Sequence, residues 1–145
     1  MPKQPINPPT LWPSRPQGFS QGVSCHGGRT VYLSGQTAWD ANKALVGGGD
    51  LKEQTCQALR NVQAAVEAAG GCLGDVVSLR IYLVDYQPEG AGAVSEALRT
   101  FFPGENPPAS TWVGVSALAV EDFLVEIEAI AHIDCDAAEG ECKWG

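Results

Sequence analysis

The chain has 145 residues, 44% of them hydrophobic and 18% charged, and a formal net charge of −8. That length permits one domain with a full core. Nine Lys and Arg against 17 Asp and Glu supply no basic face for a phosphate backbone, which argues against nucleic acid as a partner. No run approaches the roughly 18 apolar residues of a membrane span, so no membrane partner is expected. The five cysteines, Cys25, Cys56, Cys72, Cys135 and Cys142, are odd in number and lack CxxC spacing. With no apolar leader at the start of the chain, they imply reduced thiols and a cytoplasmic location rather than a disulfide framework. Cys135 and Cys142 are near enough in sequence to pair under oxidising conditions.

Residues 1–18 contain six prolines, which remove donors and fix φ, so this arm is predicted to be extended and irregular. Trp12 and Leu11 are its candidate anchors to the body. Residues 19–24 are a short strand candidate, His26-Gly27-Gly28 a turn, and residues 29–36 the return strand of a hairpin. In that strand Val31 and Leu33 share one side, Tyr32 and Ser34 the other. Gly35 either bends it or admits a close neighbour.

After a loop ending in three glycines, Asp50 stands at an N-cap position with Glu53 three residues later. The helix that follows places Leu51, Thr55, Ala58, Leu59, Val62, Val66 and Ala69 on one stripe and ends at Gly70-Gly71. Residues 76–85 alternate as a strand, with Val77, Leu79, Ile81 and Leu83 on one face and Val76, Ser78, Arg80, Tyr82 and Val84 on the other. A second helix over residues 91–102 buries Val94, Leu98 and Phe101 or Phe102. Residues 109–118 alternate again: Thr111, Val113, Val115 and Ala117 are expected on the apolar side, Ser110, Trp112, Gly114 and Ser116 opposite. Residues 123–133 form the most regular strand, with Phe123, Val125, Ile127, Ala129, Ala131 and Ile133 on one face and Leu124, Glu126, Glu128, Ile130 and His132 on the other. From residue 134 onward the periodicity stops and a loose tail is expected.

The order β-β-α-β-α-β-β defines an α+β fold in which two helices cover one face of the sheet. Residues 1–18 are an arm, 19–133 the single domain and 134–145 the tail. The uncovered face, with Arg80, Tyr82, Ser110, Trp112, Glu126 and Glu128, predicts contact with another copy of the chain, because such patches rarely stay single. Glu126 is the candidate acid or base in a cleft closed by that neighbour, or else a hydrogen-bonding group between subunits. His26 and His132 show no metal-ligand spacing, so no metal site is expected. No cysteine carries a nucleophile signature, and no phosphate-loop motif is present.

Four segments, Val31-Tyr32-Leu33-Ser34-Gly35-Gln36, the first helix with Asn61-Val62, Pro108-Ala109-Ser110, and Glu126-Ile127-Glu128-Ala129-Ile130-Ala131, resemble the Rid family, also called YjgF or L-PSP endoribonuclease-like. The likeness spans residues 19–133. It implies a chorismate-mutase-like homotrimer with small-molecule clefts between subunits, and cofactor-free hydrolysis of imines and enamines. It also implies that Glu126 positions water, that the backbone at Ser34 and Gly35 assists, and that Phe19 closes the pocket. Where the family's deaminases carry a carboxylate-binding arginine this chain has Ser110. Trp112 replaces a cysteine often found two residues further on, and Ser95 an asparagine. A hydroxyl does not substitute for a bidentate guanidinium, so the chain is expected to fall outside the 2-imino acid deaminases. Arg80 is open to two roles, binding an anionic ligand or pairing with Glu126 or Glu128. A non-catalytic trimer that binds a metabolite or chaperones other proteins is the alternative function. A ribonuclease is disfavoured by the −8 charge and the lack of paired histidines.

Overall fold

The computed structural model describes residues 3–134, so the expected tail beyond residue 134, with Cys135 and Cys142, lies outside the described residues. The described residues form six strands and two α-helices: β1 (Lys3–Ile6), β2 (Gly22–Cys25), β3 (Arg29–Gln36), α1 (Leu51–Ala68), β4 (Val76–Val84), α2 (Ala91–Phe101), β5 (Ala109–Val115) and β6 (Val125–Ile133). The main sheet has the order β3-β6-β4-β5, with β6 antiparallel to both of its neighbours and β4 parallel to β5. α1 therefore links β3 to β4 and α2 links β4 to β5, each lying on the same side.

That side is the core. Leu79, Ile81 and Leu83 of β4 stand beside Ala129, Ile127 and Val125 of β6 in register, and all six are buried. α1 lays Ala58, Leu59, Val62 and Val66 over them, and α2 adds Val94, Ala97 and Leu98. Fully burying each large aliphatic side chain contributes about 1.5–3 kcal/mol. α1 begins as the sequence predicts, with the Asp50 carboxylate accepting from the Glu53 amide at 3.0 Å.

Two expectations are corrected. The predicted hairpin of residues 19–36 does not form: β2 pairs with β1, antiparallel, with Lys3 opposite Cys25, while β3 belongs to the main sheet. Gly27 and Gly28, both at positive φ (66° and 64°), redirect the chain between them. Gly28 has a second constraint, since a Cβ there would stand 2.3 Å from the Ile133 carbonyl oxygen. The proline-rich arm is thus strand-forming over Lys3–Ile6. It is tied down by Lys3, whose buried ammonium donates to the carbonyls of Gly74 and Val76. Burial pulls the Lys3 amine down to about 8, with Asp75 and Cys25 opposing. The second correction concerns thiols. Cys72 is disulfide-bonded, whereas Cys25 and Cys56 are free; cysteine number and spacing, on which the expectation rested, carry no information about proximity in space. Among the described residues no helix is long and apolar enough to cross a membrane.

Gln54 is the polar exception within the helix stripe. Fully buried on α1, its amide donates to the carbonyls of Gly48 at 2.6 Å and Asp122 at 2.9 Å and accepts from the Leu124 amide at 2.9 Å. One side chain thereby ties the loop before α1 to the loop before β6. Gln54→Leu leaves these groups without partners, and a loss of about 2–4 kcal/mol is expected. Urea unfolding checks this through a lower midpoint at unchanged slope; a change below about 0.5 kcal/mol would contradict the assignment.

Candidate functional site

The sequence-predicted site residues fall into three groups. The first joins Gly35, Ser34 and Glu126 at the β3 edge. Leu33 pairs with Ala129 and Gln36 with Ile127, so two residues, Ser34 and Gly35, oppose the single Glu128. This is a β-bulge, which bends β3 and frees its backbone locally. Gly35 leaves room for the Glu126 side chain to cross it: a Cβ at position 35 would lie 2.2 Å from Glu126 Oε2 and 2.8 Å from its carboxyl carbon and would displace the carboxylate. Ser34 is exposed, and its carbonyl accepts from the Gln36 side chain at 3.1 Å.

Glu126 opens into a cleft of about 650 Å³ lined also by Gly35, Trp39, Asp40, Asn61 and Phe123. Asn61, on α1, donates to the carbonyls of Thr37 and Trp39, both at 2.8 Å, and fixes the loop that forms one wall. Trp39 meets Phe123 edge-on at 5.0 Å. Trp39, Asn61 and Phe123 were not among the predicted site residues. An amide on the half-buried flank of an otherwise apolar helix stripe is the signal that would have found Asn61.

The second group joins Phe19, Ser110 and Trp112 at the opposite edge. The register sets Ser110 beside Leu79 and Trp112 beside Ile81, so both lie on the helix-covered side and not on the open face with Glu126 as expected. Thr111 and Val113 are the residues beside Arg80 and Tyr82 on the open face. The reason is packing: Trp112 adds its ring to the core cluster and to Phe19, at 6.2 Å between centroids, and its indole N–H donates to Ser110 Oγ at 2.9 Å. Val113 is left 40% exposed. Trp12, Gln17, Phe19, Ser110 and Trp112 wall a cavity of about 420 Å³. Nearby, Ser95 of α2 lies beneath Gly18, its hydroxyl buried and without a hydrogen-bond partner among the described residues.

The third group is on the open face. Arg80 stands directly opposite Glu128, and Tyr82 opposite Glu126. Tyr82 donates its hydroxyl proton to Glu128 Oε1. Arg80 and Glu128 share a depression with Tyr32 and Ser78, separate from the cleft that holds Glu126. Of the two partners foreseen for Arg80, the register favours Glu128. His132 is buried near the end of β6, with Nε2 3.3 Å from the His26 carbonyl and Nδ1 without a partner among the described residues.

The β3 and β5 edges lie three strand spacings apart, roughly 14 Å. One chain therefore does not join the Glu126 cleft to the aromatic pocket.

Two helices on one face of this mixed sheet make the chorismate-mutase-like fold, and the comparisons with known proteins agree. The family model described as Endoribonuclease L-PSP matches residues 12–133. A RutC family protein of Pyrococcus horikoshii is 38% identical over 114 residues, 79% of this chain and 86% of that protein. The crystal structure of the Rid-family protein YyfB from Yersinia pestis is 44% identical with a TM-score of 0.88, covering 92% of this chain and all of that one. RidA from an Antarctic Psychrobacter is 36% identical with a TM-score of 0.64, over 79% of this chain and 87% of that one. The chain belongs to the Rid (YjgF, L-PSP endoribonuclease-like) family.

The hydrogen bond to Glu128 raises the Tyr82 hydroxyl above its ordinary value, with burial adding to the shift and Arg80 opposing it. Because the folded value is the higher one, this interaction contributes stability below about pH 10, lost as pH rises through the folded-state value. Ultraviolet titration of the three tyrosines should show one late ionisation, which Glu128→Gln returns toward the ordinary range. Three tyrosines ionising together in the unsubstituted protein would contradict the contact.

Proposed function

We propose that this protein is a cofactor-free hydrolase of imines, enamines or related C–N compounds, acting as a homotrimer, and that it is not a typical 2-imino acid deaminase. The observation that carries this reading is the Glu126 carboxylate laid across Gly35 at the mouth of the open cleft. A carboxylate so placed can accept a proton from water as the water attacks a C=N carbon, and return it to the nitrogen as the C–N bond breaks. The bulge frees backbone beside it, at Ser34 and Gly35, to orient the polarised atom.

Two features support a site shared between copies. The Glu126 half and the half made by Phe19, Ser110 and Trp112 lie at opposite sheet edges, so the edges of adjacent subunits are the economical way to unite them. The open face also carries exposed Tyr32 (76%) and Val113 (40%), surface that a symmetric neighbour would cover. Ser110 takes the place of the anchoring cation in the related deaminases, and its hydroxyl already accepts the Trp112 indole. A substrate carboxylate would thus lack its usual anchor, which is why the reading departs from 2-imino acids. Arg80 is assigned to the open face beside Glu128 rather than to the ligand.

Imines generated in situ and followed by ammonia release provide the test. Glu126→Gln should lower the accelerated rate about 10²–10⁴-fold while the fold survives. Gly35→Ala, which displaces the carboxylate, should lower it in the same direction with Glu126 intact. Unchanged rates in Glu126→Gln would refute the assignment. Ligand binding without acceleration of any aliphatic or aromatic imine would point instead to a metabolite-binding or chaperone-like trimer.

A further inference from the structure

The aromatic pocket at the β5 edge defines a ligand chemistry beyond the general reading above. Trp12 meets Phe19 edge-on at 5.7 Å and 78°, and Phe19 meets Trp112 at 6.2 Å and 56°. The three rings, with Gln17 and Ser110, wall about 420 Å³, and among the described residues no ionisable side chain joins the lining. Ser110 has one lone pair already committed to the Trp112 indole. Such a wall offers π systems to a cation and, among the described residues, no positive charge to an anion, only the neutral donors of Gln17 and Ser110.

The Glu126 half has the same bias. Its lining includes Glu126 and Asp40 and, among the described residues, no Lys or Arg. The cations nearby have other positions: Lys43 sits over the Trp39 ring at 5.6 Å, Arg99 donates to the Pro16 carbonyl at 3.0 Å, and Arg15 lines a separate hollow with Trp12 and Leu11. With a net charge of −8 on the chain, a carboxylate ligand would enter a field of its own sign and meet no cationic partner among the described lining residues. An organic cation would be attracted by both halves.

We infer that the pocket of Trp12, Phe19 and Trp112 binds an organic cation that bears a flat ring and no carboxylate. Resting on the function proposed above, the substrate is then the protonated imine of a ring-bearing carbonyl compound. Water adds to the iminium carbon while the C=N π pair moves to nitrogen, and Glu126 takes one water proton. The Glu126 proton then returns to nitrogen, and the C–N bond breaks as an oxygen lone pair closes the C=O bond; the hydroxyl proton passes through Glu126 to the departing ammonia, so iminium plus water gives carbonyl compound plus ammonium.

Calorimetric titration of the whole 145-residue chain with benzylammonium, benzyl alcohol and benzoate tests this, because the three probes share a ring and differ in charge. Benzylammonium should bind about tenfold tighter than benzyl alcohol, and benzoate weakest. Added salt should weaken benzylammonium binding. Trp112→Leu should weaken it at least about fivefold, and so should Trp12→Leu, a substitution at a ring 56% exposed that does not threaten the core. Equal affinities for the three probes, benzoate binding tightest, or an unchanged Kd in Trp12→Leu would overturn the inference. The titration reads binding without turnover. Its failure would leave hydrolysis by Glu126 standing, whereas absence of hydrolysis with cation binding intact would remove the catalytic reading alone.

Discussion

The candidate site depends on one close approach, the Glu126 side chain lying over residue 35. Any side chain at that position would occupy the space of the carboxylate, with a Cβ 2.2 Å from Oε2. Glycine lets the carboxylate keep this place, and the bulge at Ser34-Gly35 supplies the extra residue that brings the backbone there. β6 holds the other partner rigidly, because Val125 and Ile127 on either side of Glu126 are fully buried beneath the helices. A half-exposed carboxylate is thus carried by two core residues, the arrangement that positions a functional group with little freedom. Around it, Gln54 and Asn61 of α1 bind four loop carbonyls and one amide, so the cleft walls are fixed by the same helix that covers the core.

The two sides of the main sheet have different roles. On the helix side the chain is self-sufficient. On the other, Tyr82 and Glu128 satisfy one another and Arg80 lies beside them, while Tyr32, Val113 and Ile130 add apolar surface. A face that mixes satisfied polar groups with uncovered apolar ones suits association with copies of itself. In the proposed homotrimer, edges that are about three strand spacings apart in one chain become neighbours, and a carboxylate from one copy faces an aromatic wall from the next.

Much of this was legible in the amino-acid order. The period-two alternation of β6 named its buried face correctly, because five inward aliphatic positions leave no competing pattern. α1 was readable from its Asp50 cap and its stripe. β5 was not: Val113 and Val115 are more apolar than Ser110 and Gly114, so alternation alone assigned the wrong face. The register with β4 and the size of the Trp112 ring decided otherwise, and both are tertiary facts. The β1–β2 pair was missed because four residues containing a proline carry no periodic signal. Its stability comes from distant partners such as the Lys3 contact with Gly74. Glu126 and Gly35 were found as separate candidates, but only the structure puts one on top of the other.

The most direct test of the shared site is complementation between two inactive variants. Glu126→Gln and Trp112→Ala, each defective alone in imine hydrolysis, are mixed under conditions that exchange subunits. After random exchange of an equal mixture, one site in each hybrid trimer, and so about one quarter of all sites, would draw an intact carboxylate from one copy and an intact ring from its neighbour. Recovery of hydrolysis toward a quarter of the unsubstituted rate is the predicted result. No recovery despite demonstrated exchange would show that the two halves do not work together.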